Sequence, residues 1–253
     1  MTSRVMPSVR ARRPGRSVLS LVVAAVLAAG PWLVSCSGSG SGSRAAAPST
    51  TSAADLVSRA KAVLDGSRTI HFVLSSKDVP KGVDVLLGGE GDAARPDRFS
   101  GDLNVDVAGI QAKVSVISIG GTLYARLPFA ATYQVTDPRT FHIPDPGSFM
   151  SPARGLTQLL AQATDVRDAG TARAGTVVVR QVTAELPGQV VGRILVSADP
   201  ATQVRATFGI ESGSGRLRSA SLVGPFFAKG VDSTYDLQLS RFDEPVDIRS
   251  PAA

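Results

Sequence analysis

Cys36, His71 and His142 are the only cysteine and the only two histidines in this 253-residue chain, so each can be weighed singly. A thiol can serve as nucleophile or metal ligand, and an imidazole as general base. None of the three has a partner at a working spacing. His71 adjoins Phe72 in the strand-like "TIHFVLSS", and His142 lies in a proline-rich connection. No G-x-S-x-G, H-E-x-x-H, P-loop or G-x-G-x-x-G is present. Serines and aspartates are plentiful, but no context singles out a Ser-His-Asp set. Two distant histidines, and a cysteine set beside a Ser/Gly tract, make a zinc site of three or four ligands only with carboxylates, and none of these has a metal-ligand spacing. The neighbouring carboxylates Asp243 and Glu244 read as a solvated turn. These residues predict no catalytic centre, no metal and no cofactor, hence a protein that is not an enzyme.

Cys36 is instead explained by its flanks. Arg4, Arg10, Arg12, Arg13 and Arg16 precede the apolar run "VLSLVVAAVLAAGPWLV", Val18 to Val34, and residues 1–35 contain no acidic side chain. This is the layout of a secretory signal peptide over residues 1–35. The run is about 17 residues with a Gly30-Pro31 break, short of the roughly 20 that a retained spanning helix needs. "LVSC", Leu33 to Cys36, resembles the lipobox of bacterial lipoproteins. That resemblance implies a diacylglyceryl thioether on Cys36 and cleavage just before it. The product is an exported protein, lipid-anchored on the outer face of the cell membrane. A second or third acyl chain makes such anchoring stable, and a lone exported cysteine has no disulfide partner in the chain. The run to residue 54, "SGSGSGSRAAAPSTTSAA", cannot form a core and reads as a linker with an r.m.s. reach of about 20–25 Å.

The formal net charge of +6 does not point to nucleic acid. Without the five N-terminal arginines, 22 of the 27 basic residues remain against 21 acidic ones. No basic run with interleaved aromatics follows, so no nucleic-acid partner is expected.

Residues 55–250 read as one α+β domain. "SAADLVSRAKAVLDGS", Ser52 to Ser67, places Leu56, Ala60, Val63 and Leu64 at helical spacing, with Thr51 or Ser52 as cap and Gly66 as stop. Strands are expected at 69–76, 83–93, 97–109, 110–120 and 122–127. Leu103, Val105 and Val107 alternate with Asp102, Asn104 and Asp106, and Ala112, Val114 and Val116 with Gln111, Lys113 and Ser115. Each strand thus has one apolar and one polar face. Residues 136–170 hold four prolines and then a helical stretch with Leu156, Leu159 and Leu160, expected to end at Gly170. Strands resume at 175–186, 191–199, 203–211, 216–223 and 233–242. Long antiparallel strands with glycine bends form a strongly curved sheet or partial barrel. The aliphatic face can be wholly filled, or it can leave a gap beneath the helices suited to acyl chains. Pattern alone leaves both open.

Three segments carry a family resemblance. "GGTLYARL" (120–127) resembles a strand motif of the mycobacterial LppX/LprA/LprF/LprG lipoproteins. "IPDPGSFMSPARGLTQLLAQATDVRDAG" (143–170) is similar to that family's middle, through Met150, Pro152, Gly155, Leu156, Leu159, Leu160, Ala161 and Asp165. "YDLQLSRFDEPVDIRSP" (235–251) resembles its closing strand, which commonly has Trp at the position of Phe242. The resemblance implies a half-open β-barrel like that of the LolA/LolB carriers, with helices packed on the concave face. It implies a cavity for the acyl chains of long-chain lipids or acylated glycolipids, carried between membrane and outer envelope. It also implies a major-facilitator exporter as partner. The expected cavity wall is Leu103, Val105, Val107, Val114 and Val116, faced by Leu156, Leu159 and Leu160. The competing expectation is a non-transporting structural or adhesive envelope lipoprotein with a filled core.

Overall fold

The structure is a computed structural model that describes residues 51–141 and 143–251. Cys36, Trp32, His142 and the expected signal peptide therefore lie outside the described residues.

Helix α1, Ala53–Gly66, forms where the sequence places it. Ser52 is its N-cap: its Oγ accepts from Asp55 N at 3.1 Å and donates to Asp55 Oδ2 at 2.7 Å. Leu56, Val57, Ala60 and Leu64 form its buried stripe. Six strands follow: β1 Thr69–Lys77, β2 Val85–Ala94, β3 Arg98–Val107, β4 Ile110–Ile119, β5 Thr122–Arg126 and the short β6 Gln134–Val135. A connection with two 3-10 turns, Pro138–Phe141 and Pro146–Met150, leads to α2, Thr157–Ala161. Then come β7 Thr164–Ala174, β8 Val177–Pro187, α3 Gly188–Val191, β9 Gln203–Ile210, β10 Leu217–Ala228 and β11 Val231–Ser240.

All eleven strands join one antiparallel sheet in the order β6-β5-β4-β3-β2-β1-β11-β10-β9-β8-β7. It is two meanders, β1–β6 and β7–β11, joined where β1 pairs with β11 (Phe72 opposite Leu239, Leu74 opposite Leu237). The sheet is a half-open barrel that does not close, since β6 and β7 remain edges. The chain must pass from one edge to the other between β6 and β7. The proline-rich segment makes that passage across the apolar face, which is why it carries a cover.

Glycines mark the bend. Gly91 stands opposite Gly101 across β2 and β3. A Cβ on Gly91 would lie 2.8 Å from Gly101 Cα, and one on Gly89 2.8 Å from Leu103 Cδ2. Only glycine permits so close an approach. The concave face is continuous and apolar, through Ile70, Phe72, Leu103, Val114, Phe208, Leu222 and Leu237. The convex face carries ion pairs such as Lys113–Asp102 (3.1 Å) and Lys77–Asp236 (2.7 Å), each of small worth at a solvated surface.

Two expected elements differ. The helix expected to run to Gly170 stops at Ala161, and Thr164–Ala174 is β7. Its residues are mostly exposed and none is buried, it pairs only with β8, and its register shifts twice. An outermost strand with one solvated face needs no apolar alternation, and irregular register and charge protect it from pairing with other chains. The strand expected at 191–199 is instead the end of α3 and the turns after it. Val191, Leu195 and Ala198 are buried at i, i+4 and i+7, a helical spacing. Leu195 N donates to Val191 O at 2.8 Å, and Gly188 N to Thr202 O at 2.8 Å closes the loop.

Candidate functional site

Between the sheet and its covers lies an apolar cavity. α1 packs on α2 and over β7, β9 and β10, and the turn Pro146–Met150 packs over β2, β3 and β4. α3 packs on α2, β8 and β9. The space left between these covers measures about 90 Å³ and opens into about 830 Å³ counted out to solvent at the mouth. Its floor is Phe72, Leu74, Phe99, Leu103, Leu222 and Leu237. Its roof is Phe149, Leu156 and Leu159 on one side and Ile194 and Leu195 on the other. Phe72 stacks obliquely with Phe99 (5.4 Å) and with Phe149 of the cover (5.3 Å). Leu74 and Leu86 are only partly buried, so they keep surface toward the gap.

A second apolar groove of about 370 Å³ adjoins it on the same face, over β3, β4 and β5. Val105, Val107, Val114, Ala125 and Phe141 form its inner wall. Ile110 and Leu127 line its rim and are 71% and 53% exposed.

Of the eight wall residues expected from the sequence, Leu103, Leu156 and Leu159 line the first cavity. Val105, Val107 and Val114 line the second. Val116 and Leu160 are buried in the core and line neither. Sequence reasoning passed over the aromatic floor and the β10–β11 wall. The signal was present: Ile70, Phe72 and Leu74 alternate in β1, as do Tyr235, Leu237 and Leu239 in β11.

Few polar groups face the first cavity, and most are satisfied. Tyr235 Oη donates to Leu86 O at 3.0 Å, its ring edge-on to Phe226 at 5.6 Å. Burial pushes its phenol pKa well above the ordinary value. Asp145 Oδ1 accepts from Ser118 Oγ at 2.5 Å and from Gly147 N at 2.9 Å. This fastens the cover turn to β4 through a hydroxyl that is fully buried. Arg154 and Arg193 reach the lining from exposed positions.

Among the described residues, His71, Asp243 and Glu244 lie away from the cavity. His71 is on the opposite face of β1 from Phe72, with Nδ1 2.9 Å from Asp92 Oδ1, and Arg241 bonds to both. Asp243 and Glu244 are exposed. The Asp243 carboxylate accepts from Arg68 N at 2.7 Å, pinning the chain end to the start of β1. Among the described residues no group of three or more His, Cys, Asp or Glu could hold a metal ion.

The sequence of this sheet and its covers matches one family description, LppX_LprAFG lipoprotein, over residues 52–248. The chain belongs to the LppX_LprAFG lipoprotein family. Its LppX_LprAFG domain spans the whole sheet. The chain is 25% identical over 232 residues to the lipoarabinomannan carrier protein LprG of Mycobacterium tuberculosis H37Rv, covering 91% of this chain and 94% of that relative. In structure the domain is similar to LprF from Mycobacterium bovis, with a TM-score of 0.68 and 16% identity over 79% of this chain and 97% of that one. It is also similar to the Mycobacterium tuberculosis lipoprotein LppX, with a TM-score of 0.57 and 18% identity over 78% and 98%. At these identities the two structures establish the fold of the LppX_LprAFG domain.

Proposed function

We propose that this protein is an envelope lipoprotein that holds acyl chains of lipids or glycolipids against its concave face and carries them between membrane and outer envelope. The observation that carries the reading is the pair of apolar spaces on the concave face, lined mainly by aliphatic and aromatic side chains. Each methylene moved from water into such a space gains about 0.8 kcal/mol. A relative that is called a lipoarabinomannan carrier supports the same class of ligand. The same relative is called a carrier, which supports a protein that acts by binding. Diacylglyceryl attachment at Cys36 anchors it outside the cell membrane, and residues 37–54 are the tether. A major-facilitator exporter is the proposed partner.

The narrowness of the first cavity favours one rival, a structural or adhesive lipoprotein with a filled core. Mass spectrometry of organic extracts from the purified full-length protein separates the two. Carriage predicts about one long-chain lipid per protein, beyond any chains bound covalently to Cys36. Absence of such lipid from both the acylated protein and a Cys36→Ala form supports the filled core.

A further inference from the structure

Four of the eight large apolar side chains exposed among the described residues gather at one place, the end of the sheet around β4–β6. Ile110 and Leu127 stand on the rim of the second groove. Phe129 adjoins Ala130, and Val135 lies between Gln134 and Thr136, and all three of these neighbours line the same groove. The other four, Val73, Val178, Val196 and Val231, are scattered over β1, β8, the turns after α3 and β11. A gathered apolar patch marks an interaction surface, whereas single exposed residues do not. Phe129 is its extreme member and is fully exposed. Ala130 N donates to Leu127 O at 3.1 Å, closing a four-residue turn with Pro128 second and Phe129 third. Phe129 has a φ of +66°. A type II turn has this form and takes glycine in third place, because a positive φ strains a residue with a Cβ. Backbone and solvation both oppose a phenylalanine here, so the stability of the fold does not account for it.

The surroundings point to the partner. Residues 107–136 contain none of the chain's 21 acidic side chains, but they carry Lys113 and Arg126. The Arg126 guanidinium lies over the Tyr133 ring at 5.0 Å, next to Leu127. Apolar tips, an aromatic ring beside an arginine and a lack of carboxylates suit the interface of a bilayer, whose surface is neutral to anionic. They suit a second copy poorly, since a two-fold contact sets these cations against each other. Chain length allows the contact. Arg180 of β8 donates to Thr51 O at 2.6 Å at the entry to α1, and β8 and β5 lie near opposite edges of the sheet. The 17 steps from Cys36 to Ala53 span at most about 60 Å, against a domain about 40 Å across. We infer that Ile110, Leu127, Phe129 and Val135 dock the domain on a lipid bilayer, with the second groove opening onto its acyl region. The docking rests on the acyl-chain reading above only for its purpose: chains then pass between bilayer and concave face without crossing water.

The test places the full chain in vesicles of equal parts phosphatidylcholine and phosphatidylglycerol, brominated near the top of their acyl chains to quench tryptophan by contact. Trp32 is the chain's one tryptophan, and the unaltered protein supplies its background. F129W should be quenched severalfold more than V178W, a control on β8. Adding I110D/L127D to F129W should remove the quenching with the melting temperature unchanged, because both side chains are exposed. F129G should melt no lower than the unaltered protein. A lower melting temperature means that Phe129 serves the fold, and overturns its docking role. Quenching of F129W no greater than that of V178W, or quenching that survives I110D/L127D, overturns the docking surface. A cross-linked dimer that I110D/L127D abolishes means that a second copy covers the patch, and overturns it equally. Co-purified lipid is measured separately. Lipid without quenching overturns the docking alone, and quenching without lipid overturns the carrier reading alone.

Discussion

Asp145 shows how one side chain can set the height of a cover. Its carboxylate caps the turn Pro146–Met150 through Gly147 N and holds Ser118 Oγ on β4. Asp145→Ala leaves a buried hydroxyl without an acceptor, which costs about 1–3 kcal/mol, and it frees the turn. Urea unfolding should show that loss, together with faster exchange of bound lipid. Tyr235→Phe removes only the bond to Leu86 O. It should cost about 1 kcal/mol in the same unfolding measurement and leave lipid capacity unchanged. The convex face governs acid stability. Burial raises the carboxyl pKa values of Asp102 and Asp236, but bonds from Ser115 and Lys113 and from Lys77 and Ser221 outweigh it, and both lie below the ordinary value. At Glu211 the bonds from Arg218 and Ser214 act in the same direction. A carboxyl held below its unfolded pKa stabilises the fold above that value, and the contribution is lost as pH falls through the folded one. Melting temperature should therefore be flat above about pH 5 and drop steadily below about pH 4.

Elements differ in how far their own residues announce them. β3 and β4 could be placed from Leu103, Val105, Val114 and Val116, because a strand with one buried face must alternate. α1 could be placed from its cap and stripe. β7 could not: as an outermost strand it buries almost nothing, and its backbone pairing to β8 leaves no mark on side-chain pattern. The segment after α3 was misread because a short apolar run can satisfy period 2 and period 3.6 at once. The concave wall was legible as a face, but its division into two spaces was not, since that depends on where the crossing segment touches the sheet. Gly155 is central to that contact. A Cβ there would lie 2.7 Å from Phe149 C and 2.8 Å from Ser148 O, where the cover turn meets α2. Gly155→Ala should push the two apart, lower the melting temperature by several degrees and change the lipid load. Gly213→Ala, with open space around its added methyl, serves as control.

The described domain is two meanders sharing a central strand pair, with one chain crossing roofing the concavity. This construction suits reversible loading. The sheet is a continuous hydrogen-bonded frame, while the roof is short helices and turns held by side-chain packing, the kind of element that opens first. Filling the space from the sheet side should block loading without disturbing the roof's fastening. Leu74→Trp and Leu86→Trp enlarge side chains that are only partly buried, and so should reduce co-purified lipid severalfold with little change in circular dichroism or melting temperature. Leu103→Trp should also reduce the load, but Leu103 is 4% exposed and sits against Gly89, so overpacking should cost an additional 1–3 kcal/mol or so. The most direct measurement is photo-crosslinking with a lipid that carries a diazirine at the end of one acyl chain, followed by peptide mapping. If acyl chains occupy the concave face, label should concentrate on peptides containing Phe72, Leu74, Leu103, Val114, Leu222 or Leu237, and Leu74→Trp should diminish it. Label spread over the exposed β7, or lost from the concave strands while lipid remains bound, would contradict the carrier function at its root.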